Sequence, residues 1–384
     1  MSGKIKIAFL DYSPHYAGAE RAMVAILSHL NGNQFEPSIV APYPCTHHAR
    51  YREAGSKIFY LNKCIKWWMG RIRWKNPWRG SDFLMRTISG IQLMLFCKRH
   101  HIKIIHVNLL RPDSLMWILP ANLAGIKVIG HFRSLPESWI PGKRVQQCCD
   151  AIICVSKIVN KHLLQAYRHK HSYVIYDAVN IQKDNTLSKN TAKIKLGFAP
   201  NRIIIASIAA LFPNKGHDNA IRAFADISKC YPNTDLYIAG GGNPSELERL
   251  QMIAAEYPQL SNRVFFSGEQ IPDISVVYQA ADVVLSLTKE GEAFGLVPLE
   301  SSLFLTPSIA PNKGAIVEFA KDEYNAFLVE TTSVEEITKK LRKILDYPKY
   351  ANNVSKRLRE TVLSQFTPET HARKIEKIYN SVLS

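Results

Sequence analysis

Short apolar runs rich in isoleucine and valine recur along this chain, each followed by a glycine-containing or polar turn and then by apolar positions at helical spacing. Lys4–Leu10 is the first such run, and after residues 11–21 the positions Ala22, Ile26, Leu27 and Leu30 mark one face of a helix. Ile102–Asn108, Lys127–Arg133, Ala151–Ser156 and Tyr173–Asn180 repeat the strand pattern. The polar run Gln182–Asn190 has the composition of a linker and places a hinge near 180–195. Beyond it come Arg202–Leu211, Leu236–Ala239 running into Gly240-Gly241-Gly242, Val264–Phe266 running into Ser267-Gly268-Glu269, and Asp282–Leu285. Phe366 through Leu383 reads as a capped helix. Strands alternating with helices predict an α/β fold with parallel sheets, whose ligands sit beyond the carboxyl ends of the strands.

A chain of 384 residues that is 46% hydrophobic buries a sizeable core, divides more naturally into two domains than one, and excludes disorder. Its seven cysteines are odd in number and form no Cys-x2-Cys pair, which points to a reducing cytosol and no structural metal site. The apolar run after Lys4 is too short for a signal-peptide core, and no stretch is long and apolar enough to span a membrane.

A net charge of +17 implies an anionic partner: a phospholipid surface, a phosphorylated acceptor or nucleic acid. Across residues 61–111, Trp67, Trp68, Trp74 and Trp78 alternate with Lys63, Lys66, Arg71, Arg73, Lys75 and Arg79, against the single acid Asp82. Aromatic rings beside cations suit the headgroup region of an anionic membrane. Phe83, Leu84, Ile88, Ile91 and Leu95 have helical spacing, which fits either a core helix or one lying on a bilayer. Tryptophans covering a core with a solvated cationic rim are the bland alternative. Nucleic acid is not expected, since no recognisable binding module accompanies the patch.

The most informative stretch is Ser286–Glu300, a β-branched strand end, a loop and the start of a helix. Pro298 is tolerated in a first helical turn, and Gly295 lets the backbone amides around Phe294–Val297 approach an anion at the positive end of that helix. Glu292 and Glu300 flank this position, and carboxylates beside a bound phosphate prefer neutral hydroxyls as partners. A diphosphate with a hydroxyl-rich group on either side is a nucleotide sugar. Two glutamates eight apart also occur on a solvated helix face, and the surrounding Phe-Gly-Leu-Val-Pro-Leu is the stronger signal.

This stretch resembles the Glu-x7-Glu signature of retaining GT-B glycosyltransferases of family 4, the group 1 type. The resemblance runs in order along nearly the whole chain. It implies two Rossmann-like domains facing across a cleft: residues 1–182 for the acceptor, 183–365 for the nucleotide sugar, and a helix at 366–384 crossing back. It implies that Glu292 meets the donor sugar, that Glu300 meets the ribose, and that the amides of Phe294, Gly295 and Leu296 meet the diphosphate. Gly18-Ala19-Glu20 is similar to the family's Gly-Gly-Ala-Glu motif with Ala17 replacing the first glycine, and sets the Gly18 amide toward the donor phosphate. His131 occupies the place of a histidine near donor phosphate and acceptor, with Arg133 adding charge. Lys215 matches the lysine of the family's Gly-Arg-Leu-x3-Lys-Gly, but Ala209-Ala210 stand where Gly-Arg is usual. Gly268 marks the backbone that approaches the base. The implied reaction is retaining hexosyl transfer from a UDP- or GDP-sugar without a metal, and the chain has no Asp-x-Asp motif. The implied acceptor is lipid-linked or a surface polysaccharide of the lipopolysaccharide, O-antigen or capsule type. This places the protein in the cytoplasm at the inner face of the membrane, with residues 61–111 against it. A soluble acceptor, or a non-catalytic member binding polyanions or lipids, are the alternatives.

Overall fold

The computed structural model describes residues 3–13, 18–61, 80–135, 140–169, 171–179, 187–268 and 273–384. The chain divides into two compact units, Met1–Asn180 with Phe366–Ser384, and Ile181–Gln365.

The first unit begins β1 (Ile5–Leu10), α1 (Gly18–His29), β2 (Phe35–Ala41), α2 (His48–Glu53), β3 (Lys57–Tyr60), α3 (Gly80–His100) and β4 (Ile104–Val107). It continues α4 (Leu115–Leu123), β5 (Lys127–Phe132), α5 (Lys143–Gln147), β6 (Ala151–Cys154), α6 (Lys157–Ala166) and β7 (Ser172–Val174). The sheet runs β3-β2-β1-β4-β5-β6-β7 and its paired strands are parallel. The second unit holds α7 (Lys189–Lys195), β8 (Ile203–Ile208), α8 (His217–Ile227), β9 (Thr234–Ala239), α9 (Pro244–Ala255), β10 (Val264–Phe266) and α10 (Ile274–Ala280). After these come β11 (Val283–Leu285), α11 (Leu296–Leu303), β12 (Ser308–Pro311), β13 (Phe327–Val329), α12 (Val334–Asp346) and α13 (Pro348–Gln365). Its parallel sheet is ordered β10-β9-β8-β11-β12-β13. The strand order reverses between β1 and β4 in one unit and between β8 and β11 in the other. Loops leaving adjacent strands diverge there, opening a crevice.

Four strands escape the sequence pattern. Pro37 and Glu36 interrupt the apolar alternation of β2, and β3, β12 and β13 are too short to show a period. In α3 the helical spacing fits either a core helix or one lying on a bilayer, and the burial separates two faces. Its packed positions are Gly90, Leu93 and Cys97, whereas Ile88, Ile91 and Leu95 face solvent. A Cβ at residue 90 would come 2.1 Å from the Met116 carbonyl oxygen, so glycine permits the close crossing of α3 and α4. The tryptophan-rich run and the side chains of Phe83 and Leu84 lie outside the described residues.

Each unit has its own apolar core. In the first, Ile7, Phe9, Met23, Ile104 and Ile129 pack with Ile375, Ile378 and Tyr379 of α14 (Pro368–Leu383). The Thr367 side chain caps that helix by accepting the Thr370 amide. Polar groups complete the docking: the Tyr379 hydroxyl lies 2.7 Å from His106 Nδ1, and His371 Nδ1 lies 2.8 Å from the Tyr176 carbonyl oxygen. The His371 Nδ1 therefore carries the proton. Burial pulls this imidazole from its ordinary 6.5 down to about 4, against the attraction of Asp177.

A histidine held neutral by the fold stabilises it fully above about pH 6.5, and that contribution is lost as pH falls toward 4. Replacing His371 with Asn, which keeps an N–H for the Tyr176 carbonyl, is expected to flatten the acid side of the stability profile by up to about 1.4 kcal/mol per pH unit. Thermal unfolding of both proteins between pH 7 and 4 tests this, and parallel profiles would refute it.

Candidate active site

Of the sequence-predicted residues of the second unit, Lys215, Glu292, Phe294, Gly295 and Leu296 lie at the loops of its strand-order reversal, whereas Gly268 follows β10 at the edge of the sheet. β8 ends at Ile208, and a 3-10 turn over Pro213–Lys215 closes the following loop. Gly216, at φ 75°, then begins α8. A Cβ on Gly216 would come 2.1 Å from the carbonyl oxygen of Leu287, so only glycine lets this loop lie against the one leaving β11. The two backbones are joined where the Lys289 amide donates to the Asn214 carbonyl at 2.8 Å. His217 is buried behind them, with Nδ1 2.8 Å from Ser207 Oγ, and it braces the turn against β8.

This contact brings Lys215 and Glu292 together across 77 positions of sequence, with Nζ 3.2 Å from Oε1. The Thr288 hydroxyl donates to the same oxygen at 2.9 Å. The Glu292 backbone is fixed as well, because its carbonyl accepts the Ala315 amide at 2.9 Å. Gly291 and Gly314 allow the two loops this approach: a Cβ on Gly314 would sit 2.6 Å from the Glu292 nitrogen.

Phe294 is buried against Phe319, and Gly295, at φ 89°, begins α11. The first amides of a helix have no intrahelical acceptor and carry its positive pole, so Leu296 and Val297 offer donors to an anion. Pro298 falls in the first turn, where it removes a donor the helix does not use. Glu300 lies one turn on, nearly buried, with Oε2 accepting the Tyr278 hydroxyl at 2.7 Å. Gly268, at φ 66°, follows β10, and its neighbours 269–272 lie outside the described residues. Positive charge, helix amides and two carboxylates are thus gathered by one half of the fold, a composition suited to an anion bearing hydroxyl groups.

In the first unit, Gly18 opens α1, and Asn108 beyond β4 donates to the Ala19 carbonyl at 3.0 Å across the order reversal of that sheet. His131 lies within β5, as its place in the apolar run implies, and is fully buried. Its Nδ1 is 3.3 Å from His106 Nε2 and accepts from Arg133 Nη2 at 3.0 Å. Arg133 also donates to Asp177, so the guanidinium is already paired. Burial first, then the guanidinium charge, holds His131 and His106 neutral, well below their ordinary range.

Among the described residues, Asp11, His47 and His48 form the one grouping whose ligand atoms lie close enough for a metal. The Cys45 amide donates to His48 Nδ1 at 3.3 Å, so His48 Nε2 bears the proton and points it at Asp11. Burial alone would raise the Asp11 carboxyl, but hydrogen bonds from His47, His48, Ser13 and Tyr51 outweigh it and hold it at about 2. As arranged, the cluster anchors a carboxylate. Sequence reasoning misses this anchor, as it misses Thr288 and His217, because no spacing rule connects them to their partners.

Residues 188–361 match the family described as Glycosyl transferases group 1, and residues 16–183 match Glycosyltransferase Family 4. An uncharacterized glycosyltransferase of Methanocaldococcus jannaschii is 24% identical over 246 residues, 63% of this chain and 61% of the relative. The D-inositol 3-phosphate glycosyltransferase of Segniliparus rotundus is 24% identical over 203 residues, 52% of this chain and 45% of the relative. The chain therefore spans about half the length of the curated relatives it matches. Among solved structures, Anabaena HepE in complex with UDP-glucose shares the fold at a TM-score of 0.80 and 18% identity, covering 98% of this chain and 100% of that one. With both parts matched in order and two parallel Rossmann-like sheets in place, the chain belongs to the GT-B glycosyltransferases of family 4, the group 1 type.

Proposed function

We propose that this protein transfers a hexose from a UDP- or GDP-sugar, with retention of anomeric configuration, to a hydroxyl of a lipid-linked or surface-polysaccharide acceptor. The observation that carries the reading is the pairing of Lys215 with Glu292 beside the amino end of α11. Lys215 and the amides of Phe294, Gly295 and Leu296 stabilise the diphosphate as the anomeric C–O bond breaks, and no metal ion is asked of this step. The acceptor oxygen bonds to the anomeric carbon on the same face, and its proton leaves with the departing diphosphate. Glu292 orients the sugar through its hydroxyls, Glu300 takes the ribose, and Gly268 lies on the backbone near the base. Gly18 and His131 keep the roles that the family resemblance gives them. UDP-glucose bound to the structural relative HepE supports a nucleotide-sugar donor.

α3 supports an anionic membrane as a further partner. Ile88, Ile91 and Leu95 are 37%, 43% and 56% exposed and stand at helical spacing, with Lys98 and Arg99 in the last turn. A second reading, a soluble phosphorylated acceptor, is favoured by the relative that acts as a D-inositol 3-phosphate glycosyltransferase.

Three outcomes are expected. Glu292→Gln lowers transfer by about 10²-fold or more while the melting temperature stays near wild type, and wild-type turnover would remove Glu292 from the chemistry. Ala210 stands where the resembled Gly-Arg-Leu-x3-Lys-Gly motif has arginine, and its exposed position leaves room for one. Ala210→Arg should therefore tighten nucleoside diphosphate binding by about 1.5–3 kcal/mol, measured calorimetrically, and unchanged affinity would place the diphosphate elsewhere. Changing Ile88, Ile91 and Leu95 together to Ser should release the protein from phosphatidylglycerol vesicles in sedimentation; undiminished binding would remove α3 from the membrane contact.

A further inference from the structure

Glu292 is held on one side only. Its Oε1 receives both the Thr288 hydroxyl, at 2.9 Å, and Lys215 Nζ, at 3.2 Å, whereas Oε2 accepts no hydrogen bond from the described residues. Lys215 and Glu292 keep about a quarter of their side-chain surface accessible, at 27% and 22%. Thr288, in contrast, is 3% exposed. Its carbonyl accepts the Thr331 hydroxyl at 3.2 Å and the Gly291 amide at 3.3 Å, so the residue that orients the carboxylate is itself fixed from two directions.

A nucleotide sugar changes this balance. Its diphosphate carries more charge than a carboxylate and draws Lys215 away from Oε1. One of the two anchors of Glu292 is thereby lost at the moment when the other carboxylate oxygen must meet a sugar hydroxyl. The Thr288 hydroxyl carries no net charge, so the diphosphate exerts no comparable Coulombic pull on it, and its short loop tether keeps it on Oε1.

We propose that Thr288 is the positioning residue that keeps Glu292 aligned for the donor sugar once the diphosphate has claimed Lys215. The inference rests on the donor-binding reading above. It adds a division of labour: Lys215 belongs to the leaving group during the reaction, and Thr288 alone holds Oε1 so that Oε2 points at the sugar. A β-branched side chain suits the task, because few χ1 rotamers are open to it and the hydroxyl stays in place at little entropic cost. Thr288 takes no part in bond making and acts only through Glu292.

The test uses the full chain with Thr288→Val, which keeps the shape and removes the hydroxyl, and Thr288→Ser, which keeps the hydroxyl. UDP-glucose and GDP-mannose serve as donors, with UDP and GDP as sugar-free controls. Thr288→Val is expected to lose about tenfold or more in kcat while its affinity for the free nucleoside diphosphate stays at the wild-type value. Thr288→Ser should recover most of that loss. The proposal is overturned if Thr288→Val turns over like wild type, if Ser does not rescue, or if nucleoside diphosphate affinity falls in step with kcat, as a purely structural role would require. Full activity in Glu292→Gln, or no binding of any donor by the wild type, would overturn the donor-site reading itself and this inference with it.

Discussion

Two backbones pressed together at the carboxyl ends of β8 and β11 set the terms for everything proposed of this protein. The loops leaving those strands would normally diverge, since the connections on either side of the reversal run opposite ways. Gly216 against the Leu287 carbonyl, and the Lys289 amide on the Asn214 carbonyl, hold them in contact instead. A side chain from each loop then meets the other, and a cation and a carboxylate far apart in sequence share one short distance. The helix pole at Gly295 adds direction to a site already built by main-chain packing.

The polar interior of the first unit solves a different problem. Arg133 is buried, and its charge is met by Asp177 and by the Asn108 carbonyl. Histidines around it stay neutral because burial and a fixed positive neighbour act in the same direction. These groups join β4, β5, the segment after β7 and α14, so a network that costs solvation also decides which elements meet. His131, read from sequence as a site residue, is embedded in this network beside Arg133 and Asp177.

The parts of the fold legible in the sequence are those with a period or a motif. β1, β4, β5, β6, β8 and β11 are mostly buried and appear as short runs rich in apolar residues, and the Ser286–Glu300 stretch carries its own geometry in Gly295 and Pro298. β2 is hidden by Pro37, and β13 has only three residues. The spacing of Ile88, Ile91 and Leu95 in α3 fits a core helix and a bilayer-lying one equally, and only the burial shows that Gly90, Leu93 and Cys97 make the packing. Thr288 lies four residues before Glu292 in a loop, where spacing carries no information on which side chains touch. The Lys215–Glu292 pair depends on tertiary structure alone, and only the family motif places both residues in one site beforehand.

The placement of α14 has a consequence for how the chain is made. Ile375, Ile378 and Tyr379 complete a core whose other members, from Ile7 to Ile175, leave the ribosome long before them. The second unit is continuous in sequence and owes its core no such debt. Although it is encoded later, it can reach its final packing during synthesis, while the first unit waits with an unfinished apolar face for the last helix to arrive. That interval is when the nascent chain most needs shelter from aggregation.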